Sequence, residues 1–366
     1  MLVFLQIVGG FILLIGGAEV LVRGASRIAL LLGITPLVVG LTVVAFGTSA
    51  PEMAVSVRSS LSGDAGAAVA LGNVLGSNIA NVLLILGASA LIAPLLVNSR
   101  LVKVEVPLMI GASLLVLSLS LDGRIGRIDG AVLFAGILLY CAAAIYLVRR
   151  SSATAPEKSK EPVSGVPGKS RLAIPMSIVL VLVGLLLLVF GADFLVKGAV
   201  ALARSLAISE LVIGLTVIAV GTSLPELATS ILASLKGERD IAVGNVVGSN
   251  LFNLLAVLGL GGLVAPEGLA VTEAAIRFDL PIVVATAVAC LPVFLTGGEI
   301  RRWEGGVFLA YYISYVVFLV LHAKGNAFAG TFGAAFLWFV FPITALTFVV
   351  TLTLHFRRVR ATAARR

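Results

Sequence analysis

Charge is scarce in this chain: 12% of its 366 residues are Asp, Glu, Lys or Arg, where soluble domains average roughly 25%. So small a share cannot coat a water-facing surface, which excludes a soluble globular enzyme. A 60% hydrophobic composition equally excludes a disordered chain. Cysteine is nearly lacking. Cys141 and Cys290 both fall in apolar runs, so no disulfide framework or zinc spacing can be built, and each is expected to act as a small hydrophobe. Histidine is as rare, with His322 and His355 near the ends of apolar runs. The period-two alternation of a transmembrane β-barrel is missing too. So are an HExxH pair, a P-loop and a cysteine–histidine constellation, which argues against an intramembrane enzyme and against ATP-driven pumping.

What the chain has is length in apolar runs. Its mean hydropathy is +1.15, and stretches longer than about 18 apolar residues, the length that reads as a transmembrane helix, recur throughout. The runs predict eleven helices, at 2–22, 35–61, 66–92, 104–121, 129–148, 173–203, 208–235, 240–264, 278–296, 305–322 and 330–356. No basic residue precedes Arg23, so the first run is expected to be kept as a helix rather than cleaved as a signal peptide. One long polar stretch, 149–171, is rich in Ser, Pro, Lys and Glu and reads as a solvated linker.

A net charge of +8 would suggest nucleic acid in a soluble protein; here it is read as a topology signal. With the N-terminus outside, 19 of the 26 Lys and Arg residues fall on the cytoplasmic side: Arg23, Arg27, Arg100, Lys103, Lys236, Arg239, Arg301, Arg302, six in the linker and five from Arg357 onward. That bias predicts an outside N-terminus and a cytoplasmic C-terminus, which an odd number of spans satisfies.

The chain repeats itself. Residues 40–52 read GLTVVAFGTSAPE and 214–226 read GLTVIAVGTSLPE; residues 72–87 read GNVLGSNIANVLLILG and 244–259 read GNVVGSNLFNLLAVLG. Glu19 with Arg23 recurs as Asp193 with Lys197, each pair at helical i,i+4 spacing. Five predicted spans separate equivalent helices, and an odd number reverses direction, so the copies are inverted. Inverted repeats with broken helices at matching places point to a secondary transporter, in which equivalent halves open one central site to alternate sides. A channel would instead need a continuous pore.

Polar residues cluster inside the matching spans. Thr48, Ser49 and Glu52 recur as Thr222, Ser223 and Glu226, and Pro51 and Pro225 precede the two glutamates. Proline removes a backbone donor and frees the carbonyl four residues earlier, at Gly47 and Gly221. The neighbouring spans add Ser77 with Asn81 and Ser249 with Asn253, each pair one helical turn apart. Carboxylate, hydroxyl, amide and carbonyl oxygens suit hard cations such as Na⁺ and Ca²⁺, whereas copper or zinc calls for imidazole or thiolate. A carboxylate at the bilayer centre costs at least about 2.5 kcal/mol, so two of them require a positive partner, and a bound ion is the natural one. Asn73, Asn78, Asn245 and Asn250 are expected to cap or bridge the broken helices.

At these motifs the chain resembles the sodium/calcium exchanger family of the cation/calcium exchanger superfamily, over roughly residues 1–322. The resemblance implies an all-α polytopic membrane fold: two inverted five-helix repeats form a ten-helix core, joined here by an eleventh C-terminal helix. The expected units are residues 1–148 and 172–322 as repeats, 149–171 as a cytoplasmic linker, and 323–366 as the extra helix and basic tail. Carried over residue by residue, the ion ligands are Glu52, Glu226, Thr48, Thr222, Ser49, Ser223, Ser77, Ser249, Asn81 and Asn253, with the carbonyls of Ala45 and Ala219. The first and sixth spans are expected to slide as a unit past the core.

The expected activity is Na⁺/Ca²⁺ antiport in the inner membrane of a prokaryote, with no cofactor, no nucleic acid and no obligate protein partner; a monomer suffices. Potassium-dependent relatives carry aspartate where Asn253 stands, so K⁺ independence is expected. The alternative is Ca²⁺/H⁺ exchange on the same fold, in which an acidic residue typically follows as Gly-Asn-x-x-Glu; GNVLG and GNVVG lack it.

Overall fold

A computed structural model describes residues 2–154, 173–206 and 219–326, together with positions 213, 217, 330, 333, 349 and 353. Apolar runs of membrane-spanning length become helices because a chain in lipid must satisfy its backbone polar groups internally. They are α1 (Leu2–Leu32), α2 (Pro36–Thr48), α3 (Ala50–Ser60), α4 (Gly63–Ala80, running on to Ile92), α5 (Leu101–Leu119), α6 (Arg127–Thr154), α7 (Ala173–Ser205), α8 (Leu224–Leu235), α9 (Arg239–Val264), α10 (Ala275–Leu295) and α11 (Arg302–Ala323). Eight of these can each cross a membrane, and the bent pair α2–α3 makes a ninth span.

The helices fall where the hydropathy predicts, with three differences. The fifth, predicted to end at 148, runs to Thr154, so the first six residues of the expected linker are helical. The first extends ten residues beyond the predicted end at 22, because Arg23 is paired with Glu19 at 2.5 Å and does not stop it. The predicted span 35–61 is two helices meeting at 45°. The span 208–235 is described from Ala219 onward, apart from positions 213 and 217, and the eleventh, 330–356, lies outside the described residues but for four positions.

The inversion is visible in how equivalent helices meet. Glycines 10, 17 and 24 of α1 face α7 at heptad spacing, and glycines 184, 191 and 198 of α7 face α1. A Cβ at Gly10 would sit 2.7 Å from the Leu195 nitrogen, one at Gly17 would sit 2.8 Å from the Leu188 nitrogen, and one at Gly24 would meet Ser177 and Val181. Contacts thus descend α7 as they ascend α1, so two helices of matching sequence run antiparallel. Small residues let the backbones approach closely where lipid supplies no hydrophobic drive.

The same reciprocity recurs elsewhere. Gly87 of α4 meets Gly305 of α11, and Gly259 of α9 meets Gly130 of α6. Two short strand pairs also cross between repeats: β1 (Leu95–Leu96) with β4 (Glu299–Ile300), and β2 (Arg124–Ile125) with β3 (Leu269–Ala270). Each repeat therefore completes the packing of the other, with α4 and α9 at the centre. The membrane-spanning stretch of α9 is wholly buried, whereas that of α11 is 6% buried and faces outward.

Candidate cation-binding site

Both motif helices break where the sequence places Thr-Ser-x-Pro-Glu. Ser49 sits between α2 and α3 at φ −81°, ψ 5°, and Ser223 sits between the turn Ala219–Gly221 and α8 at φ −88°, ψ 7°. Proline at the second position of α3 and of α8 suits a new helix start, where its missing N–H is not needed. Each glutamate then lies in the first turn of its helix, which favours negative charge. The two neighbours widen at the matching point: α4 loosens into a π-type stretch at Asn81–Leu86 and α9 at Phe252–Val257. Such widened turns often mark functional sites.

The two halves hold each other. Ser49 Oγ donates to Glu226 Oε1 at 3.1 Å, and Ser223 Oγ lies 3.2 Å from Glu52 Oε1 and 3.2 Å from Ser77 Oγ. Thr48 Oγ1 donates to Asn245 Oδ1 at 3.1 Å and Thr222 Oγ1 to Asn73 Oδ1 at 3.2 Å. Asn73 Nδ2 donates to Ser56 Oγ at 3.0 Å, and Asn245 Nδ2 to Ser230 Oγ at 3.0 Å. The expected bridging by Asn73 and Asn245 is what the structure has. Asn81 Nδ2 donates to Asn250 Oδ1 at 3.1 Å. The Ala45 carbonyl accepts the Ser49 N–H at 3.0 Å, while Ala219 opens the equivalent turn.

Unpaired oxygens concentrate at this point. Glu52 Oε2, Glu226 Oε2, Asn81 Oδ1, Asn253 Oδ1 and Ser249 Oγ are buried without a hydrogen-bond partner. Both glutamates are 0% exposed, and among the described residues neither has an ion-pair partner. Buried carboxylates left this way are costly unless a cation joins them. Among the described residues no three His, Cys, Asp or Glu side chains cluster, so the donor set is two carboxylates with hydroxyls, amides and carbonyls. Off-centre acids differ. Buried Glu105 also leaves Oε2 unpartnered, but its Oε1 receives Arg100 Nε at 3.0 Å in an ion pair, and Asp279 accepts the Tyr315 hydroxyl at 3.3 Å.

The halves are not equally enclosed. Thr48 and Asn245 are buried, at 1% and 0% exposure, whereas Thr222 and Asn73 are half-buried. One residue escaped the sequence reading: Thr229, three residues after Glu226, is fully buried with its hydroxyl unpartnered. Its counterpart at 55 is valine, so the repeat gave no signal for it.

The protein-family model described as sodium/calcium exchanger protein matches residues 2–147 and 176–321. The putative antiporter CaxA of Alkalimonas amylolytica is 40% identical over 276 residues, 75% of this chain and 84% of CaxA. The sodium/calcium exchanger MaX1 of Methanosarcina acetivorans is 33% identical over 314 residues, covering 76% and 87% of the two chains. Among solved structures, the sodium-calcium exchanger NCX_Mj soaked with Na⁺ and Ca²⁺ superposes at a TM-score of 0.72 with 31% identity, over 87% of this chain and 98% of its own. With its inverted repeats and paired central glutamates, the chain is a multi-pass membrane protein that belongs to the sodium/calcium exchanger family.

Proposed function

We propose that this chain exchanges Na⁺ for Ca²⁺ by alternating access, with Glu52 and Glu226 as the charged ligands of one central site. The observation that carries the reading is the set of unpartnered buried oxygens shared by the two glutamates, Ser249, Asn81 and Asn253. Two carboxylates balance one Ca²⁺, and the surrounding neutral oxygens help to supply the six to eight ligands that this ion takes. The hydroxyls of Thr48, Thr222, Ser49, Ser223 and Ser77 and the carbonyls of Ala45 and Ala219 complete the proposed set. The unequal burial of Asn73–Thr222 and Asn245–Thr48 fits a site open on one side at a time.

The proton-coupled reading is disfavoured by composition: Gly76 and Gly248 stand where the Gly-Asn-x-x-Glu pattern carries its carboxylate. Vesicles containing the protein are expected to take up Ca²⁺ when an opposing Na⁺ gradient is imposed, equally with and without K⁺. Uptake as fast under a pH gradient without Na⁺ would overturn the coupling.

The charge bias further supports an outside N-terminus and a cytoplasmic linker in a prokaryotic inner membrane. A cysteine replacing Lys158, which lies outside the described residues, is expected to resist membrane-impermeant reagents in intact cells. Labelling from outside would invert the topology.

A further inference from the structure

A cavity at one end of the helix bundle carries a fixed positive charge, that of Arg124. The turn from α3 to α4 and the loop after α9 enclose a cavity of about 170 Å³ lined by Ser60, Gly63, Asp64, Pro266, Glu267 and Gly268. From its floor a polar line runs inward. Ser60 Oγ donates to the Ser56 carbonyl at 2.7 Å, and Asn73 Nδ2 reaches Ser56 Oγ at 3.0 Å and the Glu52 carbonyl at 3.4 Å. Eight residues of helix separate Ser60 from Glu52, a rise of about 12 Å. Ser56 and Ser60 are both 1% exposed, and buried polar residues at membrane depth commonly mark ion pathways. Asn73, at the inner end of this line, is half-buried.

Arg124 lies across the rim. Its position on β2 is held by pairing with β3, and its guanidinium places Nη2 3.5 Å from Asp64 Oδ1 and Nη1 3.4 Å from Glu267 Oε2. Nη1 also donates to the Glu267 carbonyl at 2.7 Å. Arg127 adds a second cation nearby, donating to the Pro266 carbonyl at 3.3 Å. The repeated architecture does not require an arginine at 124. In the inverted copy the equivalent strand position, paired to Leu96, is Glu299, which lies 3.5 Å from Arg301. Exposed pairs such as these add little stability, but a fixed charge at a mouth alters the local concentration of ions according to their valence.

We propose that Arg124 is a charge-selecting residue at this mouth: by offsetting one of the two negative charges of Asp64 and Glu267 it weakens the approach of divalent cations more than that of monovalent ones. The inference rests on the central-glutamate reading of the transport site. A divalent ion entering the cavity about 10 Å from the guanidinium, in water at low salt, gains about threefold in occupancy when that charge is removed and about eightfold when it is reversed; a monovalent ion gains the square roots.

The test is isotope-traced Ca²⁺/Ca²⁺ self-exchange in oriented vesicles, read as the half-saturating Ca²⁺ on the Arg124 side. This exchange needs no Na⁺, so a failure of Na⁺ coupling leaves the measurement intact, and a failure here leaves the coupling standing. At low ionic strength Arg124→Gln is expected to lower the half-saturating Ca²⁺ about threefold and Arg124→Glu about eightfold. Arg124→Lys should change nothing, and molar choline chloride should abolish both shifts. Should a variant fail to insert, Asp64→Asn and Glu267→Gln provide the opposite sign, raising the value. No shift, a shift equally large in Arg124→Lys, or one that survives high salt would overturn the proposal.

Discussion

Glu52→Gln and Glu226→Gln are each expected to abolish Ca²⁺ transport. Glutamine keeps the size and one carbonyl oxygen but removes the charge and the bidentate option. For unit charges about 4 Å apart at an effective dielectric of about 20, the interaction is about 4 kcal/mol, and a divalent ion doubles it. Relaxation and the cost of burying the carboxylate take back part of this. Even half of it corresponds to roughly three orders of magnitude in Ca²⁺ affinity. Ser77→Ala and Ser249→Ala remove a neutral ligand worth about 1 kcal/mol, so their effects should be nearer tenfold at most. Ca²⁺ flux in vesicles, with insertion checked separately, measures the contrast. Near-normal transport by either glutamine variant would remove that carboxylate from the site.

The second large effect is expected at the seam between α1 and α7, where adjacent glycines differ completely. A Cβ at Gly17 would meet the Leu188 nitrogen at 2.8 Å and the Gly184 carbonyl at 2.9 Å, while one at Gly16 would meet nothing within 4 Å. Gly17→Val must therefore push two backbones apart. Overpacking a core costs typically about 1–3 kcal/mol, and here the obstacle is main chain rather than a movable side chain. Gly17→Val is expected to lower the melting temperature and to lose most Ca²⁺ transport, with Gly16→Val close to wild type in both. Equal behaviour of the two variants would mean that the seam does not hold these helices together.

The positions of the polar motifs were legible in the sequence because Thr-Ser-x-Pro-Glu and Gly-Ser-Asn are conspicuous within apolar spans and occur twice. The breaks at Ser49 and Ser223 follow from proline chemistry, which is local and therefore readable. Partners were not readable. Glu19 and Arg23 were expected to pair at i,i+4, and they do; Lys236 also reaches Glu19, at 2.5 Å, from more than two hundred residues away. The heptads of glycine in α1 and α7 are visible once sought, but periodicity alone does not say which helix fills the groove. Thr229 lacks a repeated counterpart, and nothing in the pattern around Glu105 signals its complete burial.

Equilibrium binding of isotopic Ca²⁺ to the purified chain tests the central site most directly, because it requires neither coupling nor topology. The expected result is one Ca²⁺ bound per chain, displaced by Na⁺, and lost in both Glu52→Gln and Glu226→Gln. Undiminished Ca²⁺ binding in the two glutamine variants would contradict the placement of the ion between the inverted repeats.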